Sequence, residues 1–509
     1  MVARRVAPGG ESLNDGANVS HRPVVRLMEA GALRAAVRDG AAGRIAVSGL
    51  RQSLPVTSAR AAAIGLAVML TGCATYQPLP LARQASLAPG LAGLATQVPA
   101  VAAGAAPRRI DVGRPLDISD IGLLAILNDP DLKSEWGDMG VAQAGLVQAS
   151  LLPNPTASLG FAALLGGPGS APAYTASLSQ DIAALVTYRA RVHAARAHVA
   201  EVNATLLWQE WQVGQKARLL ALDIYYGERS LALTRQELRL TSDEAQQAQA
   251  ATQAGNLALG ALAPLLAAQA MAAQALITLN VEQIKQWQAL DALLGLAPDA
   301  RFAIAAPELP PPPVQLAPLI ARIPLQRPDI IALQLGYSAA EAGMRAAILG
   351  QFPAFLLGGS WGSDTTGVSS AGPSITFDLP IFDRNQGKIT NAQATRLLLH
   401  AQYRARLDNA VGTARGIAAQ ERMLADELPQ ARQAARDAEN FARSAEAAYA
   451  QNNIDQIALT DYQTTALQRD LELISLERAV GEDRLALDVE LGLGLPATRL
   501  AAPNQTDQQ

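Results

Sequence analysis

The sequence has few of the residues that build catalytic or metal centres. Its 509 residues include one Cys and four His, which leaves no ligand spacing typical of a zinc, haem or iron–sulfur site. It contains no P-loop, no G-x-S-x-G and no G-x-G-x-x-G after a predicted strand. We therefore predict a protein that is not an enzyme and that binds neither a cofactor nor a metal.

Aromatic residues and basic runs are also scarce. Aromatic residues make up only 4% of the chain, whereas Ala is abundant, and Ala-rich cores are typical of long helices with closely packed backbones. The net charge is −4 and no segment is strongly basic. A nucleic-acid partner is accordingly not expected.

The single cysteine, Cys73, ends a stretch typical of a bacterial lipoprotein signal. Arg60 precedes a short apolar run at 61–69, and Leu70-Thr71-Gly72 stands directly before the cysteine. Such a run is typical of a secretory signal and is too short to span a membrane as a mature helix. The Leu-Thr-Gly-Cys ending resembles the lipobox, whose Cys is diacylated and becomes the new N-terminus. Ala74 after it favours sorting to the outer membrane. The alternative is a buried Cys in an apolar stretch.

Residues 1–59 do not fit an ordinary signal peptide, because they are too long and too mixed in character. Either translation starts near residue 50, or the extension is a leader that is discarded on cleavage. Both readings predict that residues 1–72 are absent from the mature protein. The Pro-, Ala- and Gly-rich stretch that follows Cys73 predicts an extended arm.

The rest of the chain repeats itself after about 200 residues. Pro130-Asp131-Leu132 returns as Pro328-Asp329-Ile330, and Leu294-Gly295-Leu296 returns as Leu491-Gly492-Leu493. This period is too long for a solenoid repeat, so we infer that one domain-sized unit was duplicated and fused. The predicted segments are a signal region at 1–72, a lipidated arm at 73–115, repeat 1 at 116–306, a Pro-rich linker at 307–318, repeat 2 at 319–497 and a disordered tail at 498–509.

Each repeat contains a predicted β-hairpin, at about 156–182 and 354–381. Apolar and polar residues alternate in its second strand: the apolar set is Tyr174, Ala176 and Leu178 with Ile375, Phe377, Leu379 and Ile381, and the polar set is Thr175, Ser177 and Ser179 with Ser374, Thr376 and Asp378. Alternation of this kind predicts a half-buried strand, either between lipid and water or in a soluble hairpin. The lipoprotein signal favours lipid.

Long helices are predicted around the hairpins. One runs from about Arg189 to Gln253, roughly 64 residues or about 95 Å, and its two neighbours of about 23 and 40 residues match its length when placed end to end. The 4-3 spacing of the returning helix predicts a heptad seam. Its members are Leu266, Ala270, Ala273, Ile277, Asn280, Ile284, Trp287 and Leu294. Four strands cannot close a barrel in lipid, whereas three chains supply twelve, so the membrane assignment predicts a homotrimer.

Three motifs carry a family resemblance. They are Leu151-Leu152-Pro153-Asn154-Pro155, Arg327-Pro328-Asp329-Ile330 and Leu379-Pro380-Ile381-Phe382-Asp383-Arg384-Asn385-Gln386-Gly387. With the duplicated helix–hairpin–helix plan, they resemble the TolC-like outer-membrane efflux proteins, and the third motif looks like the strand-to-helix junction of the heavy-metal cation efflux branch. We expect Pro380 to end the strand ladder, Asp383 to cap the next helix and Gly387 to allow close packing.

The resemblance implies a mainly α fold with a membrane β-barrel. Three chains would form a 12-stranded β-barrel and a long α-helical barrel. The β-barrel would lie among the outer-membrane lipids of a Gram-negative bacterium, with a lipid anchor. The α-helical barrel would extend into the periplasm. The helix-hairpin tips would dock onto a periplasmic adaptor fed by an inner-membrane pump, with an RND-type pump expected. These tips are at Gly255, Asn256, Asn452 and Asn453.

In the family, acidic residues near the tips narrow the entrance. Asp461 stands at a matching position, and Asp461 and Asp455 are the candidate aperture ring, although both also suit a solvated outer face. The leading hypothesis is a passive exit duct of a tripartite efflux system for heavy-metal cations or drugs. A type I protein-secretion duct uses the same fold. A periplasmic coiled-coil scaffold without a pore is the third alternative, but it would not need the strands.

Overall fold

The computed structural model of the chain describes residues 76–98, 108–169, 171–353 and 355–493. Cys73, the predicted signal region and the predicted tail at 498–509 lie outside these residues. The chain divides into two compact units, one made of Met1–Leu87 and Pro99–Arg108 and the other of Ala88–Val98 and Arg109–Gln509. In the first unit, the described residues 76–87 form no helix or strand.

The second unit contains two copies of one element order. A short 3-10 turn at Leu91–Gly93 and the two-residue strands β1 (Gln97–Val98) and β2 (Arg108–Arg109, whose first residue is counted in the first unit) come before the repeats. The first copy consists of α1 (Ile118–Asn128), α2 (Pro130–Ser150), β3 (Thr156–Ala162), β4 (Ala173–Asp181), α3 (Ile182–Gln253) and α4 (Leu259–Leu294). The second consists of α5 (Leu316–Gln326), α6 (Pro328–Leu349), β5 (Phe355–Ser363), β6 (Ser369–Phe377), α7 (Gln386–Ala450) and α8 (Gln456–Leu491).

Two additional helices and one helix start differ from the sequence prediction. Helices α1 and α5, of 11 residues each, are additional, and α5 begins at Leu316, inside the predicted Pro-rich linker. Helix α3 begins at Ile182 rather than near Arg189. Its early start follows from Asp181, the last residue of β4, whose carboxylate accepts a hydrogen bond from the Ala184 amide at 3.0 Å and caps the helix.

Each long helix packs beside pairs of shorter ones, as the lengths predicted. Helices α3 and α7 have 72 and 65 residues, or about 108 and 98 Å at 1.5 Å per residue. Helix α3 contacts α1, α2 and α4, and also α6 and α8 of the second repeat, while α7 contacts α5, α6 and α8. The α2 and α4 helices and α7 therefore lie at opposite edges of the protomer, with α3 and the α6 and α8 helices between them.

The large apolar side chains are concentrated near the middle of the long helices. One cluster joins α1, α3 and α4 through Ile121, Leu124, Leu222, Leu290 and Leu294, and a second joins α5, α6, α7 and α8 through Ile323, Ile330, Leu487 and Leu491. The buried face of α7 carries Ala at 410, 414, 418, 435, 438, 442 and 445, with Glu421 the other buried residue. Such small side chains let backbones approach closely.

The Arg327-Pro328-Asp329 motif ties the repeats together. The buried Arg327 guanidinium donates to both Asp329 carboxylate oxygens, at 3.0 and 2.8 Å, and also to the carboxylate of Glu490 on α8. Its carbon Cζ lies 4.6 Å from the ring centroid of Trp208 on α3, a cation–π distance. One side chain thus joins α3, α6 and α8.

Among the described helices, only α4 is long and apolar enough, by length and composition, to cross a bilayer. Only 11% of its apolar 18-residue stretch is buried. A single such helix is weak evidence for a membrane span. Part of its apolar surface is uncovered, because Leu266, Ile277 and Ile284 of the predicted seam are exposed. The face of α4 that packs on α3 carries Leu262, Ala272, Gln283, Trp287 and Leu290 instead. Of the eight residues of the predicted stripe, Trp287 and Leu294 are therefore buried within the protomer, Ala273 and Asn280 are half-buried, and Leu266, Ala270, Ile277 and Ile284 are exposed.

Candidate membrane sheet, helix junction and hairpin tips

The four longer strands form one antiparallel sheet in the order β3-β4-β5-β6. Residues directly opposite each other in such a ladder share a face. One face brings together Ser, Thr and Gly, through the pairs Thr156–Ser179, Ser158–Ser177, Gly160–Thr175, Ser177–Ser360, Gly358–Ser374 and Ser360–Gly372. This small-residue polar face crosses all four strands.

The opposite face is apolar. Its pairs include Leu159–Ala176, Ala176–Trp361, Leu357–Ile375 and Phe355–Phe377, and the Phe161 and Tyr174 rings lie 5.5 Å apart. These side chains are not covered within the protomer: Leu159 is 86% exposed and Ile375 is 65% exposed. The predicted alternation is confirmed within the strands. Asp378, Leu379 and Ile381 lie beyond it, because β6 ends at Phe377.

Aromatic residues occur at both ends of the apolar face. Phe161, Tyr174 and Trp361 lie towards the hairpin turns, and Phe355 and Phe377 lie at the end that adjoins the helices. The six-residue step from Phe355 to Trp361 corresponds to about 20 Å at 3.3 Å per residue. Neither β3 nor β6 has an outer strand neighbour among the described residues, so both edges of the sheet are open.

The junction between β6 and α7 is a turn held by its own side chains. The Asp383 carboxylate accepts from the Asn385 amide at 2.8 Å, and Gln386 accepts from the Arg384 amide at 2.6 Å while donating to the Phe382 carbonyl at 3.0 Å. The Arg384 guanidinium donates to the Pro380 carbonyl at 3.2 Å. The motif therefore fixes the path of the chain from strand to helix.

Three details of the junction correct the sequence prediction. Asp383 does not cap α7: the residue before the helix is Asn385, in a left-handed conformation (φ 64°) without a side-chain cap. The side-chain amide of Asn385 instead donates to the Ala347 carbonyl of α6 at 2.7 Å. Pro380 follows the end of the ladder at Phe377 and does not terminate it. A β-carbon at Gly387 would meet nothing within 4 Å in the described chain, so this glycine allows no close packing within the protomer.

The two helix-hairpin tips have the same backbone design. Gly255 and Asn452 are both left-handed, with φ of 76° and 58°. The next amide in each tip, that of Asn256 or Asn453, donates to the carbonyl five residues earlier, at 2.8 and 2.9 Å. This bond is the Schellman closure of a helix C-terminus, and all four residues are exposed. The repeat alignment thus places equivalent residues at equivalent backbone positions.

Comparison with known proteins gives a family for the second repeat and a fold for most of the chain. Residues 319–493 match the model of a family described as outer membrane efflux protein. The chain carries the outer-membrane efflux fold. The resemblance to TolC-like outer-membrane efflux proteins is confirmed, whereas the heavy-metal branch stays a prediction. No curated protein matches.

Solved efflux channels share the fold at low sequence identity. The CmeC outer membrane channel of Campylobacter jejuni superposes with a TM-score of 0.62 and 14% identity, over 75% of this chain and 86% of that one. The outer membrane protein VceC of Vibrio cholerae gives 0.59 and 20%, over 74% and 96%. The open-state MtrE outer membrane channel of Neisseria gonorrhoeae gives 0.57 and 18%, over 75% and 90%.

Within this efflux fold, the two candidate aperture residues have different surroundings. Asp455 caps α8 by accepting from the Ala458 amide at 2.8 Å, which gives it a structural role whatever else it does. Asp461 is exposed on α8 and lies near Glu244 of α3. Burial, and next the Asp461 carboxylate, raise the pKa of Glu244.

Ion pairs join the repeats along α3 and α8, and sequence reasoning missed them. The Arg478 guanidinium lies 2.9 Å from Asp223 and 2.7 Å from Glu482, and Glu477 contacts Arg229 at 3.4 Å and Arg432 at 3.1 Å. Burial, followed by the neighbouring Glu482, raises the pKa of Asp223 to about 7. Local patterns gave no signal, because Asp223 and Arg478 are 255 residues apart in sequence.

Proposed function

We propose that three copies of this chain form the outer-membrane exit duct of a tripartite efflux system. The observation that carries the proposal is the two-faced sheet with open edges, joined directly to helices of about 100 Å. The duct is passive, and a periplasmic adaptor and an inner-membrane pump of the RND type supply direction and energy. Heavy-metal cations or drugs are the proposed cargo.

The sheet supports a twelve-stranded barrel. Its apolar face suits lipid, and its aromatic residues at both ends suit the two girdles of a membrane barrel. Open strand edges cannot face hydrocarbon, because their backbone groups would lack hydrogen-bond partners. Four strands are too few to close on themselves, so β6 of one copy would pair with β3 of the next. The Ser, Thr and Gly face would then line a wet lumen.

The helices support the same closure. The exposed stripe of α4 includes Leu266, Ile277 and Ile284, and α4 and α7 lie at opposite edges of the protomer. Closure of the sheet between copies would bring α7 of one copy against α4 of the next. The stripe would then be covered, and the predicted heptad seam would be completed between subunits.

Membrane attachment and docking complete the proposal. Cys73 is the proposed lipidated N-terminus, which places the chain in the outer membrane with its long helices in the periplasm. The tips at Gly255, Asn256, Asn452 and Asn453 are the proposed contact with the adaptor. A lipid chain alone anchors weakly, so the barrel would provide most of the attachment.

The test combines assembly with conductance. We expect full-length protein purified from membranes to give a trimer mass by native mass spectrometry and discrete channels in planar bilayers. A Cys pair introduced at Thr156 of β3 and Thr376 of β6 should crosslink between chains and not within one. A protein that stays monomeric, or trimers without conductance, would contradict the duct.

A further inference from the structure

A groove follows α6 at the end of the helices that adjoins the sheet, and residues of α3 and α7 also line it. The part next to the sheet has a volume of about 780 Å³, and the part farther along the helices has a volume of about 560 Å³. Thr187 of α3 and Gly350, directly after α6, line both parts. The two parts therefore form one continuous groove.

The part next to the sheet is apolar. Phe355, Ile375 and Phe377 line it, and the same side chains belong to the apolar face of the sheet. Val186 of α3 and Phe352 complete this lining, and they are 53% and 64% exposed. This part of the groove is therefore a continuation of the apolar face and is open to its surroundings in the protomer.

The other part of the groove is polar and positively charged. Arg191 of α3 and Lys388 of α7 both line it. One nitrogen of the Arg191 guanidinium donates to the Ala184 carbonyl at 3.0 Å, whereas its Nε atom is buried and has no hydrogen-bond partner among the described residues. Lys388 is exposed and forms no ion pair within the described part of the chain. Two cations of the groove are thus left without an anion.

Acids are scarce at this end of the helices. The helical stretches nearest the sheet carry eight Arg and Lys residues and no Asp or Glu, over residues 139–155, 182–200, 342–353 and 386–407. Just beyond them, Glu341 pairs with Arg396 at 3.2 Å. The Asp383 carboxylate accepts from the Asn385 amide, and Asp378 is exposed beyond the end of β6. The electrostatic field around the groove therefore favours an anion.

Repeat 1 has a groove of similar size with the opposite charge. Gly145 of α2 matches Gly343 of α6 in the repeat alignment, and each lines a groove. The groove at Gly145 has a volume of about 580 Å³ and is lined by Glu135, Asp138 and Glu201. Like charges would repel an anion there, so the two grooves differ in what they suit.

We propose that the groove along α6 binds one phospholipid with an anionic headgroup. An acyl chain lies on the apolar part, and the phosphate lies between Arg191 and Lys388. A guanidinium presents several N–H donors to phosphate oxygens, and cations beside a membrane attract anionic lipids. A free phosphate would leave the apolar part uncovered, and an uncharged lipid would leave both cations without an anion. The location of the groove at the membrane surface rests on the proposed function.

Native mass spectrometry of the full-length protein in detergent, titrated with dioleoyl phosphatidylglycerol, tests the proposal. We expect one such lipid per chain to bind more tightly than dioleoyl phosphatidylcholine, which has the same acyl chains and no net charge. The double variant Arg191→Gln/Lys388→Gln should weaken binding roughly 30-fold, because each cation near an anionic headgroup contributes roughly a fivefold factor. Lys388→Gln alone, at an exposed side chain, should weaken it roughly fivefold.

A steric variant tests the same groove without changing its charge. A β-carbon at Gly343 would meet nothing within 4 Å in the described chain, so Gly343→Leu places its side chain in open space at the groove and should abolish tight binding. Gly145→Leu is the matched control, because a β-carbon there is equally unobstructed, and it should keep the parent affinity. Arg196→Gln/Arg345→Gln removes two exposed cations that do not line the groove and should keep most of the affinity.

Several outcomes would overturn the lipid site. They are equal affinity for the two lipids, parent affinity in Arg191→Gln/Lys388→Gln or in Gly343→Leu, and an equal loss in Arg196→Gln/Arg345→Gln, which would indicate a diffuse basic surface. Displacement of the lipid by glycerol 3-phosphate at a similar concentration would identify a free phosphate as the occupant and overturn it as well. The spectra count lipids per chain and also report the assembly state, so a failure of the trimer is seen separately.

Discussion

Helices α4 and α8 hold equivalent places in the two repeats, and each has 36 residues. Helix α8 contacts both α3 and α7, whereas α4 has one long helix, α3, as its neighbour. Yet α8 carries eleven charged residues and α4 carries three. The helix in the interior of the protomer is thus the charged one, and the helix at the edge is apolar. This reversal fits an edge that another copy covers, and an interior seam whose register is set by ion pairs rather than by bulky side chains.

Arg327 in repeat 2 and Asp129 in repeat 1 occupy matching positions. Substituting them should give the largest difference between the repeats in the free energy of unfolding. Arg327→Ala leaves Asp329 and the Glu490 carboxylate without their main partner, and loss of one partner of a buried ion pair costs about 3–5 kcal/mol. The Arg406 side chain, 3.6 Å from Asp329, should hold the loss near the lower end. Asp129→Ala removes a helix cap, the 2.8 Å bond from the Leu132 amide, and should cost about 1 kcal/mol. Chemical unfolding of the purified protein measures the free energy of unfolding of both variants. Equal losses would contradict the role of Arg327 in joining α3, α6 and α8.

The next largest effect should be a difference between the two faces of the sheet in their tolerance of a charged side chain. Leu178→Lys places a charge near the middle of the apolar face and should cost about 2–4 kcal/mol, whereas Phe377→Lys, at the end of that face that adjoins the helices, should cost about 0–1 kcal/mol. Ser177→Lys, one residue away on the polar face, should be mild. Folding into lipid vesicles, followed by denaturant titration, gives the free energies. Equal tolerance on both faces would contradict a lipid-facing sheet.

The sequence predicted features that are set locally and missed those set by distant neighbours. The strand faces follow from alternation within nine residues of β4 or β6, so Leu178 and Ser177 could be assigned directly. The partner of an apolar stripe is not encoded in its spacing, which is why Ile277 and Ile284 could be predicted as a seam but not assigned to a face. Asp383 was predicted as a helix cap from its position alone. Because Asn385 is left-handed, α7 begins only after it, at Gln386.

The two strand-to-helix junctions should show a smaller difference in the stability lost when their Asp residues are replaced. Asp181→Ala removes the cap of α3 and should cost about 1 kcal/mol. Asp383→Ala removes a turn bond to the Asn385 amide in an exposed segment, and we expect less than half that loss. Thermal unfolding of the two variants in detergent provides the comparison. A larger loss at Asp383 would mean that the junction turn supports more of α7 than its own hydrogen bonds indicate.

The hairpin tips should show the smallest effects. Gly255 and Asn452 share a left-handed backbone, which costs about 1 kcal/mol for a residue with a β-carbon and less for Asn, whose side chain tolerates it. Gly255→Ala should therefore lower the free energy of unfolding by about 1 kcal/mol, while Asn452→Gly should leave it nearly unchanged. Hydrogen exchange at the Asn256 and Asn453 amides resolves such local differences, because each amide closes its own tip. If Asn452→Gly instead speeds exchange at Asn453 as much as Gly255→Ala does at Asn256, then the Asn452 side chain stabilises its tip beyond the backbone conformation, and the two tips are alike in path but not in energy.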